Sequence, residues 1–152
     1  MAKLQPVKEK DLKILRELKK DARQSTAEIG RTLSIPRVTV HERIQRLASS
    51  GVIRKFTIEP DYALLGKPVK AFILLGYSPN QKFSQRQLIQ ALAKIDEVSE
   101  VSLLAGDWDI LLKVRTESID ALGKLVVDQI RALPGVGKSV TMPALTTEKE
   151  EL

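Results

Sequence analysis

One histidine, His41, and no cysteine leave this chain little covalent or metal chemistry. A disulfide framework and a thiolate site are excluded, and a structural zinc cluster lacks its ligands. Residues whose types and spacing do suggest chemistry lie in two places. The first holds Arg37, Val38, Thr39, His41, Glu42, Arg43, Arg46, Arg54 and Lys55. Guanidinium and ammonium groups interleaved with hydrogen-bonding side chains are suited to gripping a polyanion and touching its edges. The second is Ala105-Gly106-Asp107-Trp108-Asp109. It is a glycine turn carrying two carboxylates and an indole. A third stretch, Gly135-Val136-Gly137-Lys138-Ser139, resembles a phosphate loop but fails as one. Ala132 stands where the first glycine belongs, and the segment leads from helix to strand. A dinucleotide fingerprint fails because Val140 occupies the third glycine position.

The elements that must position these residues follow from periodicity and from charge. Residues 1–60 carry 14 Lys/Arg against 7 Asp/Glu, whereas residues 61–152 carry 11 against 12. All the excess positive charge therefore sits in the first part, which points to a polyanion-binding module joined to a neutral one. Aromatic residues are only 4% of the chain, so the core must be built from Leu, Ile and Val. The first residues lack the apolar stretch of a signal peptide, and the longest apolar run, near Ala71–Leu75, is too short to span a bilayer. The expectation is a soluble, cytoplasmic protein without a membrane partner.

In the basic part, Leu12, Leu15 and Leu18, with Ile14, predict a helix over Lys8–Arg23. Ser25-Thr26-Ala27-Glu28 is a capping box opening a short helix that ends near Leu33. Pro36 opens a third helix running to about Ser50 and stopped by Gly51. On that helix Val40, Ile44 and Leu47 form one stripe, which leaves Val38, Glu42 and Gln45 opposite and Thr39, His41, Arg43 and Arg46 on the flanks. Val52–Ile58 reads as a strand. Three helices and a strand in this order predict a winged helix-turn-helix, with residues near the third helix's N-terminus at base edges. Arg43, Arg46, Arg54 and Lys55 are the expected phosphate contacts.

A turn-prone linker spans 61–68, and the period then switches repeatedly. Strands are expected at Val69–Tyr77, Val98–Leu104, Ile110–Arg115 and Val136–Thr146. Helices are expected after the Ser84–Gln87 capping box and from Ser118, the latter turning Ile119, Leu122, Val126 and Leu133 inward. Pro143 should confine the last strand to an edge. The fold class is α+β: residues 1–60 a winged helix-turn-helix, residues 69–152 a ferredoxin-like βαββαβ domain. Two helices cover one sheet face, so the bare face favours dimerisation.

Asp11–Leu15, Asp21-Ala22-Arg23, Ala27–Gly30, Thr39–Leu47 and Gly51-Val52-Ile53 resemble the Lrp/AsnC family of leucine-responsive, feast/famine regulators. The likeness covers nearly the whole chain. Three positions depart from it: Pro36 stands where many members have a capping serine, Gly30 where alanine is usual, and Pro143 interrupts the last strand, often an uninterrupted run. The resemblance implies a non-enzymatic regulator that binds double-stranded DNA, a RAM-type second domain, and dimers assembling into tetramers or octamers. It also implies an amino-acid effector, and no other cofactor, held by Ala105–Asp109 with Ser139 and Thr141 on the partner wall: the turn's backbone N–H and C=O groups would pair the effector's carboxylate and amino groups, Asp107 or Asp109 would attract its ammonium, and Trp108 would wall its side chain. No metal is expected. Two rivals are an architectural DNA-wrapping protein and an enzyme like the sirohaem decarboxylases that share the fold. The only histidine lies in the recognition helix, which weighs against the enzyme.

Overall fold

Residues 6–79 and 83–148 are described in the computed structural model; of the tail Glu148–Leu152, for which the sequence predicts fraying, residues 149–152 lie outside them. The chain divides into two units, residues 1–58 and 59–152. The expected linker thus belongs to the second unit. There Asp61 Oδ1 accepts the N–H groups of Ala63 and Leu64, and Tyr62 stacks under the Arg115 guanidinium at 4.0 Å.

The first unit comprises α1 (Glu9–Lys20), α2 (Thr26–Leu33) and α3 (Arg37–Ser49) around Ile14, Ile29, Ile35 and Val40. α1 is shorter than its periodicity suggests. Past Lys20 the chain turns extended, Asp21 Oδ1 takes the Arg23 N–H at 2.8 Å, and Gln24 Nε2 donates to the Glu17 carbonyl at 3.0 Å. The inward stripe of α1 also differs from expectation. Leu12 is 47% exposed, whereas Asp11 is fully buried in register with Ile14. The reason lies on α3 and is taken up below.

α2 begins on the predicted box: Ser25 Oγ accepts the Glu28 N–H, and Glu28 Oε2 accepts the Ser25 N–H at 2.7 Å. It ends with Ser34 in the left-handed region, φ 54°, so that the Ile35 N–H returns to the Gly30 carbonyl at 2.9 Å. A Cβ on Gly30 would stand 2.6 Å from the Ile35 oxygen. The missing side chain is therefore what lets the turn close tightly onto α2 and enter α3.

The strand expected at Val52–Ile58 does not form. Among the described residues of this unit its backbone has no neighbouring strand, and β propensity without a ladder fixes nothing. The unit is a three-helix helix-turn-helix with an irregular arm in place of a wing; the Ile53 N–H donates to the Leu47 carbonyl at 2.9 Å, and Arg54 to Ile58 are exposed.

The second unit follows the predicted element order. β1 (Val69–Tyr77), β2 (Val98–Leu103), β3 (Ile110–Thr116) and β4 (Val136–Pro143) form one antiparallel sheet in the order β2-β3-β1-β4. β4 is an edge strand, which is where Pro143 can be tolerated. α4 (Gln85–Leu92) starts on its Ser84–Gln87 box. α5 (Ile119–Lys124) runs on into a π-helical segment, Leu125–Ile130. Leu122, Leu125, Val126 and Ile130 are buried, while Ile119, in the first turn of α5, is 60% exposed, contrary to expectation.

Alternation along the strands sets two faces. Ala71, Ile73, Leu75, Ile110, Leu112 and Val114 are buried with the helices. Phe72, Leu74 and Leu111 point to the other face, joined by Val140 and Met142, each 41% exposed.

Candidate DNA-reading helix and effector turn

Val40 and Leu47 fix the inner side of α3, as the projection requires. Arg37, His41, Glu42 and Gln45 are exposed, Val38 is 67% exposed, and Thr39 is half-buried at the flank. Residues expected at base edges thus share the outer surface near the start of the helix. Arg54 and Lys55 are exposed on the arm.

Arg43 and Arg46 are held differently from the other basic residues. Arg43 Nη1 lies 2.8 Å from Asp11 Oδ1, and Arg46 Nη2 lies 2.7 Å from Asp11 Oδ2. Oδ2 also accepts the Lys8 N–H at 2.8 Å, closing a box at the start of α1. This explains the buried acid in the α1 stripe. A carboxylate without partners there would be costly, but two guanidiniums and a backbone N–H satisfy it.

Burial alone would raise the Asp11 pKa, and it is the largest single influence. The Lys8 N–H, the Arg43 hydrogen bond and the charges of Arg46 and Arg43 together outweigh it, so the group is held below the ordinary carboxylate value. The arginine side chains are 20% (Arg43) and 37% (Arg46) exposed, so Arg46 has the greater surface left for a second partner. Sequence inspection missed Asp11. Its signal is its spacing, three and four residues before Ile14 and Leu15, which puts it on the inward stripe.

In the second unit, the connection between β2 and β3 closes through the Leu104 N–H to the Asp109 carbonyl at 2.8 Å. The Asp109 N–H donates to the Leu75 carbonyl at 3.0 Å, and its Oδ2 accepts the Tyr77 N–H at 2.7 Å. Asp109 is thereby the anchor of the turn, its carboxylate already committed to β1. Ala105, Gly106 and Asp107 are exposed, and Trp108 is half-buried. Ser139 pairs with Leu75 and Thr141 with Ile73, so both sit on the helix-covered side of the sheet. The residue that does reach Trp108 from β4 is Lys138, whose Nζ stands 4.4 Å from the indole centroid. Sequence inspection passed over it, although alternation puts Lys138 on the face opposite Ser139.

Both units match described domains. The AsnC-type helix-turn-helix domain matches residues 9–48, and the Lrp/AsnC ligand binding domain matches residues 70–152. The chain belongs to the Lrp/AsnC family of transcriptional regulators.

Similarity to other Lrp/AsnC proteins runs through the full length. An uncharacterised HTH-type transcriptional regulator of Pyrococcus horikoshii is 46% identical over 142 residues, covering 93% of this chain and 95% of its own. The HTH-type transcriptional regulator FL11 of the same organism is 38% identical over 145 residues, covering 95% and 93%. Among solved structures, AsnC of E. coli superposes with a TM-score of 0.85 at 24% identity, covering 97% of this chain and 98% of that one. A Neisseria meningitidis transcriptional regulator in complex with L-Met superposes with a TM-score of 0.90 at 20% identity, covering 96% and 94%. These likenesses support the α+β assignment. The named relatives are regulators, not enzymes, so the decarboxylase alternative falls away. The AsnC-type helix-turn-helix makes DNA the partner of the first unit. Among the described residues no helix is long and apolar enough to cross a membrane.

Proposed function

We propose that this Lrp/AsnC regulator reads a specific operator through the first turns of α3, as a dimer, under the control of an amino acid held at the Gly106–Asp109 turn. The observation that carries the reading is the polarity of α3. Arg37, Val38, His41 and Glu42 stand exposed together, while Val40 and Leu47 lock the opposite side into the core. An exposed stripe of this composition suits the major groove, where Arg37 can pair a guanine edge and Val38 can meet a thymine methyl. Thr39 and Glu42 complete the base-facing set. Arg46, Arg54 and Lys55 position the helix on phosphates, and Arg43 contributes chiefly by holding α3 to Asp11. Such a protein acts in the cytoplasm, where the DNA is.

The dimer is supported by the uncovered sheet face, where Phe72, Leu74, Leu111, Val140 and Met142 form an apolar surface. A dimer carries two recognition helices, which on a palindromic operator would meet half-sites about one DNA turn, roughly 34 Å, apart. Higher assemblies, tetramer or octamer, would build on the same dimer. The amino-acid reading is supported by the exposed backbone of the turn and by the match to the family's ligand binding domain. Ligand at an assembly interface and DNA at α3 would then be linked reciprocally.

Met142→Glu, placed in the apolar face, should shift the protein to monomer in analytical ultracentrifugation. Its affinity for the operator should fall about a hundredfold or more as the second half-site is lost. An unchanged sedimentation coefficient would remove this face from the dimer contact, and an unchanged operator affinity would remove the two-helix geometry.

A further inference from the structure

The cation on Trp108 bears on which amino acid the turn accepts. Lys138 lies on the same side of β4 as Val140 and Met142, and its side chain crosses β1 at Gly76. A Cβ on Gly76 would stand 2.9 Å from Lys138 Cγ and 3.2 Å from Cε. Glycine at that position is what allows the lysine stem to lie flat across the strand and deliver Nζ to the indole, 4.4 Å from its centroid. Lys138 is exposed, so its remaining N–H groups are available to an incoming partner. Among the described residues its charge meets the ring and no carboxylate, and Asp109, the anchoring acid of the turn, accepts the Tyr77 N–H through Oδ2. The turn therefore presents an ordered positive charge on the very wall assigned to the ligand side chain.

We infer that Lys138 selects an amino acid with a carboxylate side chain, of the aspartate or glutamate class. The inference rests on the proposal that the turn is an effector site. In that frame the exposed backbone N–H groups near Gly106 take the α-carboxylate and Asp107 takes the α-ammonium. Trp108 covers the side-chain methylenes, and the Lys138 ammonium closes on the terminal carboxylate. A neutral side chain would leave the ammonium without its partner, and a lysine side chain would meet it as a like charge.

The test is titration of the full-length protein by calorimetry with L-glutamate, L-aspartate, L-leucine, L-methionine and L-lysine. It is followed in parallel by fluorescence of Trp108, the only tryptophan. At least one acidic amino acid should bind about tenfold or more tightly than the others and perturb the indole emission. Lys138→Met, with an unchanged circular dichroism spectrum, should lose that advantage. A neutral or basic amino acid binding tighter than both acids would overturn the inference while leaving the effector site standing. So would an acid affinity unchanged in a folded Lys138→Met. Absence of binding by all five, with the Trp108 emission unmoved, would overturn the inference and the effector reading together.

Discussion

Replacing Asp11 by alanine is expected to destabilise the first unit by about 3 kcal/mol and to leave the unfolding of the second unit where it was. Removing one partner of a buried ion pair commonly costs 3–5 kcal/mol, because the surviving charge is left without compensation. Here Arg43 and Arg46 keep 20% and 37% of their side-chain surface, so both can turn partly to water, which places the cost at the lower end. The Lys8 N–H loses its acceptor as well. For a unit of this size the shift corresponds to more than 10 °C in midpoint. The two units can be followed separately. Far-UV circular dichroism follows the helices, and Trp108 emission follows the second unit alone. Asp11→Ala should move a dichroism transition downward and leave the emission transition unchanged.

Acid should act on the same group. The folded pKa of Asp11 lies below its unfolded value, so its contribution is complete above that unfolded value, about 4, and is lost as pH falls from there through the folded pKa. The dichroism transition of the wild type should therefore fall below about pH 4, and that of Asp11→Asn should depend less on pH in that range. Equal pH dependence in the two proteins would remove Asp11 from the account.

Arg37→Ala is expected to weaken binding to the preferred operator about 5- to 150-fold, the 1–3 kcal/mol of a bidentate base contact, and to relax base preference at one position of each half-site. Thr39→Ala should act in the same sense and more weakly, since its side chain is only partly exposed. Lys55→Ala should weaken every duplex alike and lower the slope of log affinity against log salt by about one. Anisotropy titrations against operator and scrambled duplex at several salt concentrations separate these behaviours. If Lys55→Ala altered base preference, or Arg37→Ala lowered both duplexes equally, the division into readers and positioners would be wrong.

The capping boxes at Ser25 and Ser84, the Val40–Leu47 stripe and the element order of the second unit were all legible, because each is a local signal with a local cause. The misses share a different origin. Asp11 looked like one more surface acid on α1, because its burial depends on two arginines more than thirty residues away. Val52–Ile58 has strand composition, yet composition cannot supply the neighbouring strand that a ladder requires. Ile119 has the helical spacing of an inward residue three before Leu122, yet in the first turn of α5 it stands exposed. At the turn, Asp109 and Trp108 were visible as chemistry, but the commitment of Asp109 to Tyr77 and the reach of Lys138 over Gly76 come from strand register, which no local pattern encodes.

The central claim is that α3 reads sequence. Selection from random duplexes with the purified protein, sequencing the bound pool at low and at higher salt, tests it most directly. The account predicts a palindromic motif whose half-sites lie about one helical turn apart and which persists at higher salt as non-specific binding falls away. Binding that collapses with salt and enriches no motif would contradict it, and would make this protein an architectural coat for DNA instead of a reader.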